Sequence, residues 1–238
     1  MKEASFFNGL QKEGLNPSEA LLQCFDRVLE QDPENIAAWN NKGLVLAGLG
    51  QDDQAIECYL RAAKIDPTSP VSWYNQGNAL SRLDRYDEAI SSYDRALEAD
   101  PLYFAAWINK GMALRSVGRD EESLHCYDVA LGMDPSSPIA WVDKGAALAM
   151  MDRFEEAIKC FDRAIELDPS PTFAWINKGN SLSHLGRLEE ALKCFERSLM
   201  ICPDLALAWS NKGTVLKALN RESEARAAFA MAEKLGLG

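Results

Sequence analysis

The chain has 238 residues, 47% of them hydrophobic and 26% charged, and 36 acidic against 25 basic side chains leave a net charge of −11. That is enough apolar material for a sizeable interior. The negative balance removes counter-ion release as a drive toward nucleic acid and disfavours anionic membrane surfaces. No apolar run approaches the roughly 18 residues of a membrane helix. The start, Met1-Lys2-Glu3-Ala4-Ser5-Phe6-Phe7, holds no apolar core of signal-peptide length. The expectation is a soluble cytoplasmic protein.

All six tryptophans recur at intervals of 34: Trp39, Trp73, Trp107, Trp141, Trp175 and Trp209. Gly43, Gly77, Gly111, Gly145, Gly179 and Gly213 follow four residues behind each. Such a period marks an array of small stacked units and not one large globular core. Residues 1–35 read as a degenerate first unit: Ser5 stands in the Trp phase, while Gly9, Cys24, Phe25 and Pro33 keep theirs. Asn16-Pro17-Ser18-Glu19 is a helix start, with Asn as cap and Pro at the first helical position. Units follow at 36–69, 70–103, 104–137, 138–171 and 172–205, and a final one at 206–238.

With Ile36 as position 1, Trp, Gly and Leu at positions 4, 8 and 11 fit one face of a first helix. Gly, Asp or Asn fills the turn at position 15, as Gly50, Asp84, Gly118, Asp152, Gly186 and Asn220. Acidic pairs such as Glu155-Glu156 then open a second helix, where carboxylates suit the positive end of the helix dipole. Positions 20, 24 and 27 run small, aromatic, small, as in Ala55, Tyr59 and Ala62. Asp-Pro at Pro67, Pro101, Pro135 and Pro169, and Pro203 after Cys202, stop that helix. Gly at position 8 and Ala at position 20 predict close approach of two antiparallel helices, and each hairpin must stack on its neighbours to bury its apolar face.

These residues resemble the tetratricopeptide repeat family. The Trp39, Gly43, Ala55, Tyr59, Ala62 and Pro67 series and its later copies match that family's pattern, clearly over 36–235 and weakly over 1–35. The resemblance implies an all-α fold, a right-handed superhelical solenoid of antiparallel helix pairs, serving as a protein–protein interaction scaffold. Two departures stand out. Position 7, usually apolar in the family, is Lys42, Gln76, Lys110, Lys144, Lys178 and Lys212, whose stems could lie along apolar surface with the ammonium in water. Position 11 is Leu in place of Tyr. In the last unit, positions 21 and 28 become Arg226 and Glu233, which reads as a charged terminal face.

In this family the first helices line a concave groove through positions 2, 5, 6, 9, 12 and 13. Position 6 is Asn41, Asn75, Asn109, Asp143, Asn177 and Asn211. Asn is a poor helix former, and its amide can grip a peptide main chain of any sequence; the superhelix of O-linked N-acetylglucosamine transferases is similar. The alternative is bonding within the repeat itself. Position 5 adds Tyr74, Ile108, Val142 and Ile176 as apolar groove wall. Position 2 (Val71, Ile139, Phe173 and Leu207 among others) is expected to pack into the neighbouring repeat instead. Positions 9, 12 and 13 vary, and Asn78, Arg82, Arg115, Asn180 and His184 are candidates there, the basic ones with Lys217 making the groove more positive than the rest of the surface.

The Lys, Asn, Asn, Lys, Arg set of the chaperone-binding subset is not present beyond the Asn at position 6. His125 and His184 sit at no metal-ligand spacing, no phosphate loop or nucleophile motif occurs, and no enzyme, cofactor or metal is expected. Cys24, Cys58, Cys126, Cys160 and Cys194 share one phase and read as small buried side chains, not as bridges or zinc ligands. The expected partner is an extended peptide or helix. The other readings are self-assembly, with Phe6 and Phe7 entering another copy's groove, or a regulatory subunit of an enzyme.

Overall fold

A computed structural model describes residues 16–236, so the readings on Ser5, Phe6, Phe7 and Gly9 lie outside the described residues. The described residues form thirteen helices and no strand: α1 (Pro17–Gln31), α2 (Ile36–Gly48), α3 (Asp52–Ile65), α4 (Pro70–Arg82), α5 (Tyr86–Ala99), α6 (Phe104–Ser116), α7 (Asp120–Met133), α8 (Pro138–Met150), α9 (Phe154–Leu167), α10 (Thr172–His184), α11 (Leu188–Ile201), α12 (Ala206–Ala218) and α13 (Glu222–Lys234). They fall into two compact units, Met1–Gly118 and Arg119–Gly238. Within each unit, consecutive helices pack as pairs and each pair stacks on the next. No helix among the described residues is long and apolar enough to cross a membrane.

Local chemistry sets every boundary. Asn16 accepts from the Glu19 amide at 2.9 Å while the Glu19 carboxylate accepts from the Asn16 amide at 3.2 Å, a reciprocal cap for α1. Between the helices of a pair, Gly50, Asp84, Gly118, Asp152, Gly186 and Asn220 all take φ between +57° and +74°, the left-handed region open to Gly and tolerated by Asn and Asp. The second helix then opens on a fork that the dipole argument did not reveal. Arg85, Arg119, Arg153, Arg187 and Arg221 each donate two N–H groups to the Glu three residues on, at 2.6–2.9 Å. Those bonds hold the Glu88, Glu156, Glu190 and Glu224 carboxyls below the ordinary glutamate value.

The position-24 ring is buried in every repeat from 36–69 to 172–205, and is exposed only as Phe229 in the last. Tyr59, Tyr93, Tyr127, Phe161 and Phe195 are at most 1% exposed. A Cβ on Gly43, Gly77, Gly145, Gly179 or Gly213 would sit 2.5–2.7 Å from the ring of its own repeat. The glycine is therefore required by the aromatic ring as much as by the approach of the two helices. Burial also pushes the Tyr59 and Tyr93 hydroxyls up to about 12, and it raises the thiols of Cys58, Cys160 and Cys194, which act as small apolar side chains.

The seams between repeats carry two periodic contacts. Every indole Nε1 donates to the carbonyl of the proline six residues earlier, at 2.7–3.0 Å, which locks Trp and Pro into one register. The position-7 lysines are not simply reaching water. Lys42, Lys110, Lys144 and Lys178 pair with Asp26, Asp94, Asp128 and Asp162 of the preceding repeat at 2.5 Å, and Lys212 pairs with Glu196 at 3.0 Å. Each ammonium also lies 5.5–5.9 Å from the centroid of the tryptophan ring three residues before it. Where Gln76 replaces the lysine, Leu60 replaces the acid.

Three outcomes follow for stability, each read by urea or thermal unfolding with helix content as the signal. Gly77→Ala drives a methyl into the buried Tyr93 ring and destabilises by about 1–3 kcal/mol, whereas Gly132→Ala, with nothing within 4 Å of the added carbon, stabilises by up to about 1 kcal/mol through helix propensity. Gln76→Lys alone buries an unpaired ammonium and destabilises; adding Leu60→Asp recovers about 0.5–1 kcal/mol of coupling, the scale of a partly exposed pair. Finally, the folded state favours the protonated Tyr59 phenol, so the stability it contributes is complete below about pH 10, its ordinary value, and is lost as pH rises toward 12. Tyr59→Phe, the residue found at Phe161 and Phe195, flattens that alkaline limb.

Candidate functional site

In the first compact unit, the first helices α4 and α6 flank a cavity of about 380 Å³ lined in part by Asn78, Arg82 and Asn109. A hydrogen-bonded floor fixes these side chains. Asn109 Nδ2 donates to Asn78 Oδ1 at 2.7 Å and to the Tyr74 hydroxyl at 3.1 Å. The Tyr93 hydroxyl donates to the same Asn78 Oδ1 at 2.8 Å and lies 3.2 Å from Ser81 Oγ. Desolvation keeps that phenol protonated, so it remains a donor. The Tyr74 ring packs against Tyr103 at 4.9 Å between centroids. The walls are Tyr86, Met112 and Ala113, with Ser116 beside them.

This arrangement spends half of each amide and leaves the other half. Asn78 has used its carbonyl and Asn109 its NH2, so Asn78 Nδ2 and Asn109 Oδ1 have no partner among the described residues. One donor beside one acceptor is the complement of a main-chain peptide group. The pair recurs in the second unit, where Asn211 Nδ2 donates to Asn180 Oδ1 at 2.9 Å. These position-6 amides bond to the preceding repeat, not within their own as the alternative had it. The signal was present in the sequence: position 9 is Asn only at Asn78 and Asn180, and an Asn follows each one 31 residues later.

The other candidates divide. Asn41 is exposed on α2, Asn75 is buried on α4, and Asp143 and Asn177 are half-buried on α8 and α10. Position 5 does not form a groove wall. Ile108 is 7% exposed and Ile176 1%, the latter in a cluster with Ile158 of the preceding repeat, because this position turns into the seam. Asn40, at the same position, is likewise buried and donates to Ser72 Oγ at 2.9 Å. Tyr74, Val142 and Ser210 stay half-buried there.

One charge of the expected positive groove is offset. Arg82 directs Nε and Nη2 to Asp52 Oδ1 of the preceding repeat, at 2.8 and 2.5 Å, so a largely buried carboxylate offsets its charge. His184 stacks on Phe154 at 4.6 Å with the planes 8° apart, and Arg115 is half-buried on α6. Position 2 reverses its expectation too. Val71, Ile139, Phe173 and Leu207 do not pack into the neighbouring repeat but stand 41–69% exposed. Among the described residues no group of His, Cys, Asp and Glu is arranged to hold a metal.

Comparison with known proteins agrees with this build. One tetratricopeptide repeat model matches residues 36–69, 138–171 and 172–205, another matches 74–138, and the protein prenyltransferase alpha subunit repeat matches 18–49. Among curated proteins no significant match is found. Among solved structures, YrrB, described as a TPR protein with an unusual peptide-binding site, is similar with a TM-score of 0.64 and 23% identity, over 77% of this chain and 95% of that one. The pilF protein of Pseudomonas aeruginosa gives 0.73 and 18%, over 85% and 92%. MamA gives 0.61 and 23%, over 67% and 93%. At these identities the likeness speaks for the fold. With repeat models spanning most of its length and helix pairs built as described, the chain belongs to the tetratricopeptide repeat family.

Proposed function

We propose that this protein is a binding scaffold that holds an extended polypeptide on the face of its first helices. The observation that carries the reading is the half-spent amide pair Asn78–Asn109 lining the α4–α6 cavity. It offers a fixed donor and acceptor to any main-chain peptide group, and the cavity beside it accepts the side chain of the residue so gripped. A rigid floor matters here, because an amide already oriented by Tyr74 and Tyr93 loses little freedom when ligand arrives. The description of YrrB as a peptide-binding member of the same fold supports the class of ligand, not its sequence.

The test is a peptide selected from a displayed library of unstructured sequences against the immobilised full-length protein. Asn78→Ala and Asn109→Ala are expected to raise its Kd about tenfold, on the order of 1.4 kcal/mol, with helix content retained. Because those variants also disturb the floor, a ligand N-methylated at the gripped residue serves as a second arm. It should bind wild type about tenfold more weakly, with no added loss on Asn109→Ala. Unchanged affinity in both arms rejects the site.

A further inference from the structure

The two compact units present different chemistry at position 2. In the first it is Ala37, Val71 and Ala105; in the second it is Ile139, Phe173 and Leu207, exposed by 69%, 58% and 41%. Those three sit in the first turns of α8, α10 and α12, neighbouring first helices of successive repeats, and so form an apolar row. Large apolar side chains left in water at one phase of three consecutive repeats mark a contact surface.

Three features of the row describe its occupant. The first is pitch. α8 touches α10 and α10 touches α12, and helices in contact lie about 8–10 Å apart. A polyproline II strand places every third side chain on one edge at about 9.3 Å, which matches, whereas a β-strand repeats its face at about 6.7 Å and does not. The second is the neighbouring amide pair. Asn180 Nδ2 and Asn211 Oδ1 are left without partners among the described residues, one turn or more along the same helices. They suit an open main chain; a helical ligand satisfies its own backbone and has no use for them. The third is charge. Asp134, Asp168 and Asp204 lie in the loops that lead into α8, α10 and α12. The Ser170 hydroxyl and amide hold the Asp168 carboxyl below its ordinary value, and the exposed cation on these helices, Lys217, is at the far end of α12.

We infer that the second unit binds a basic segment in polyproline II conformation, with an apolar side chain at every third position resting on Ile139, Phe173 and Leu207 and Lys or Arg between them facing Asp134, Asp168 and Asp204. This rests on the main-chain reading above and adds the sequence class of the ligand.

The probe is a fluorescein-labelled peptide of Leu-Pro-Lys triplets, followed by anisotropy with the full-length protein. Binding is expected, at least tenfold weaker for Leu-Pro-Glu triplets and for alternating Leu-Lys. Phe173→Ala and Ile139→Ala, exposed positions whose loss leaves the fold intact, should each weaken it about tenfold; Asn180→Ala should weaken it too. No binding, equal binding of the acidic peptide, or an unchanged Kd for Phe173→Ala overturns the inference. If Asn180→Ala weakens binding and Phe173→Ala does not, the main-chain reading stands and the apolar row falls. Sedimentation showing a dimer that Phe173→Ala dissolves also overturns it, in favour of a second copy of this chain as the occupant.

Discussion

The structure depends on one recurring arrangement around the tryptophan. Its N–H is bound to a proline carbonyl at the end of the preceding helix, and its face lies under an ammonium that is itself paired across the seam. One side chain thereby fixes the direction of chain entry, the packing of its own hairpin and the distance to the previous repeat. None of these contacts is strong alone. A neutral hydrogen bond contributes about 1 kcal/mol net and an exposed cation–π contact about 0.5–1 kcal/mol. Repeated along the array, the hydrogen bond at all six seams and the cation at five, they sum with nearest-neighbour packing, which is how such an array gains stability without a single large core.

The same rigidity explains how the first-helix face is free to vary. Tyr59, Tyr93, Phe161 and Phe195 with their facing glycines keep the hairpin geometry constant. Residues at positions 2, 6, 9 and 13 can then change without disturbing it, giving Asn78 and Arg82 in one repeat, Met112 and Ser116 in the next, and Asn180 and His184 further on. Several of these still contribute to the scaffold. Arg82 reaches back to Asp52 and His184 to Phe154, so position 13 of one repeat touches position 17 of the repeat before it. The proposed ligand contacts and repeat stacking share the same helix face.

The fold was legible because its determinants are periodic. Trp, Gly, the position-24 ring and the left-handed turn residue each announce themselves six times and Ala at position 20 five times, with Ser123 in the sixth place, and each follows from local sterics. The face was legible only in part. Ile108 and Ile176 look like groove wall by helical phase, but phase does not say how far one helix leans into its neighbour, and both are in the seam. Phe173 and Ile139 show the opposite error, since apolar character suggested burial that the geometry does not provide. The Lys–Asp pairs were readable in principle: the lysine at position 7 and the acid at position 25 of the repeat before are present together in five seams and absent together in one. What hid them is that the partners lie 16 residues apart in different repeats, beyond any helical spacing.

That one exception, Leu60 opposite Gln76, distinguishes an otherwise uniform series of joints. Near-identical modules in tandem invite faulty docking during folding, since any second helix offers much the same surface to any first helix. A hairpin carrying Leu60 on its second helix presents no carboxylate to a lysine-bearing neighbour, and Gln76 presents no cation to an acidic one. The odd joint is like the off-centre pin of a plug: its two faces match each other in lacking charge and match none of the other five joints.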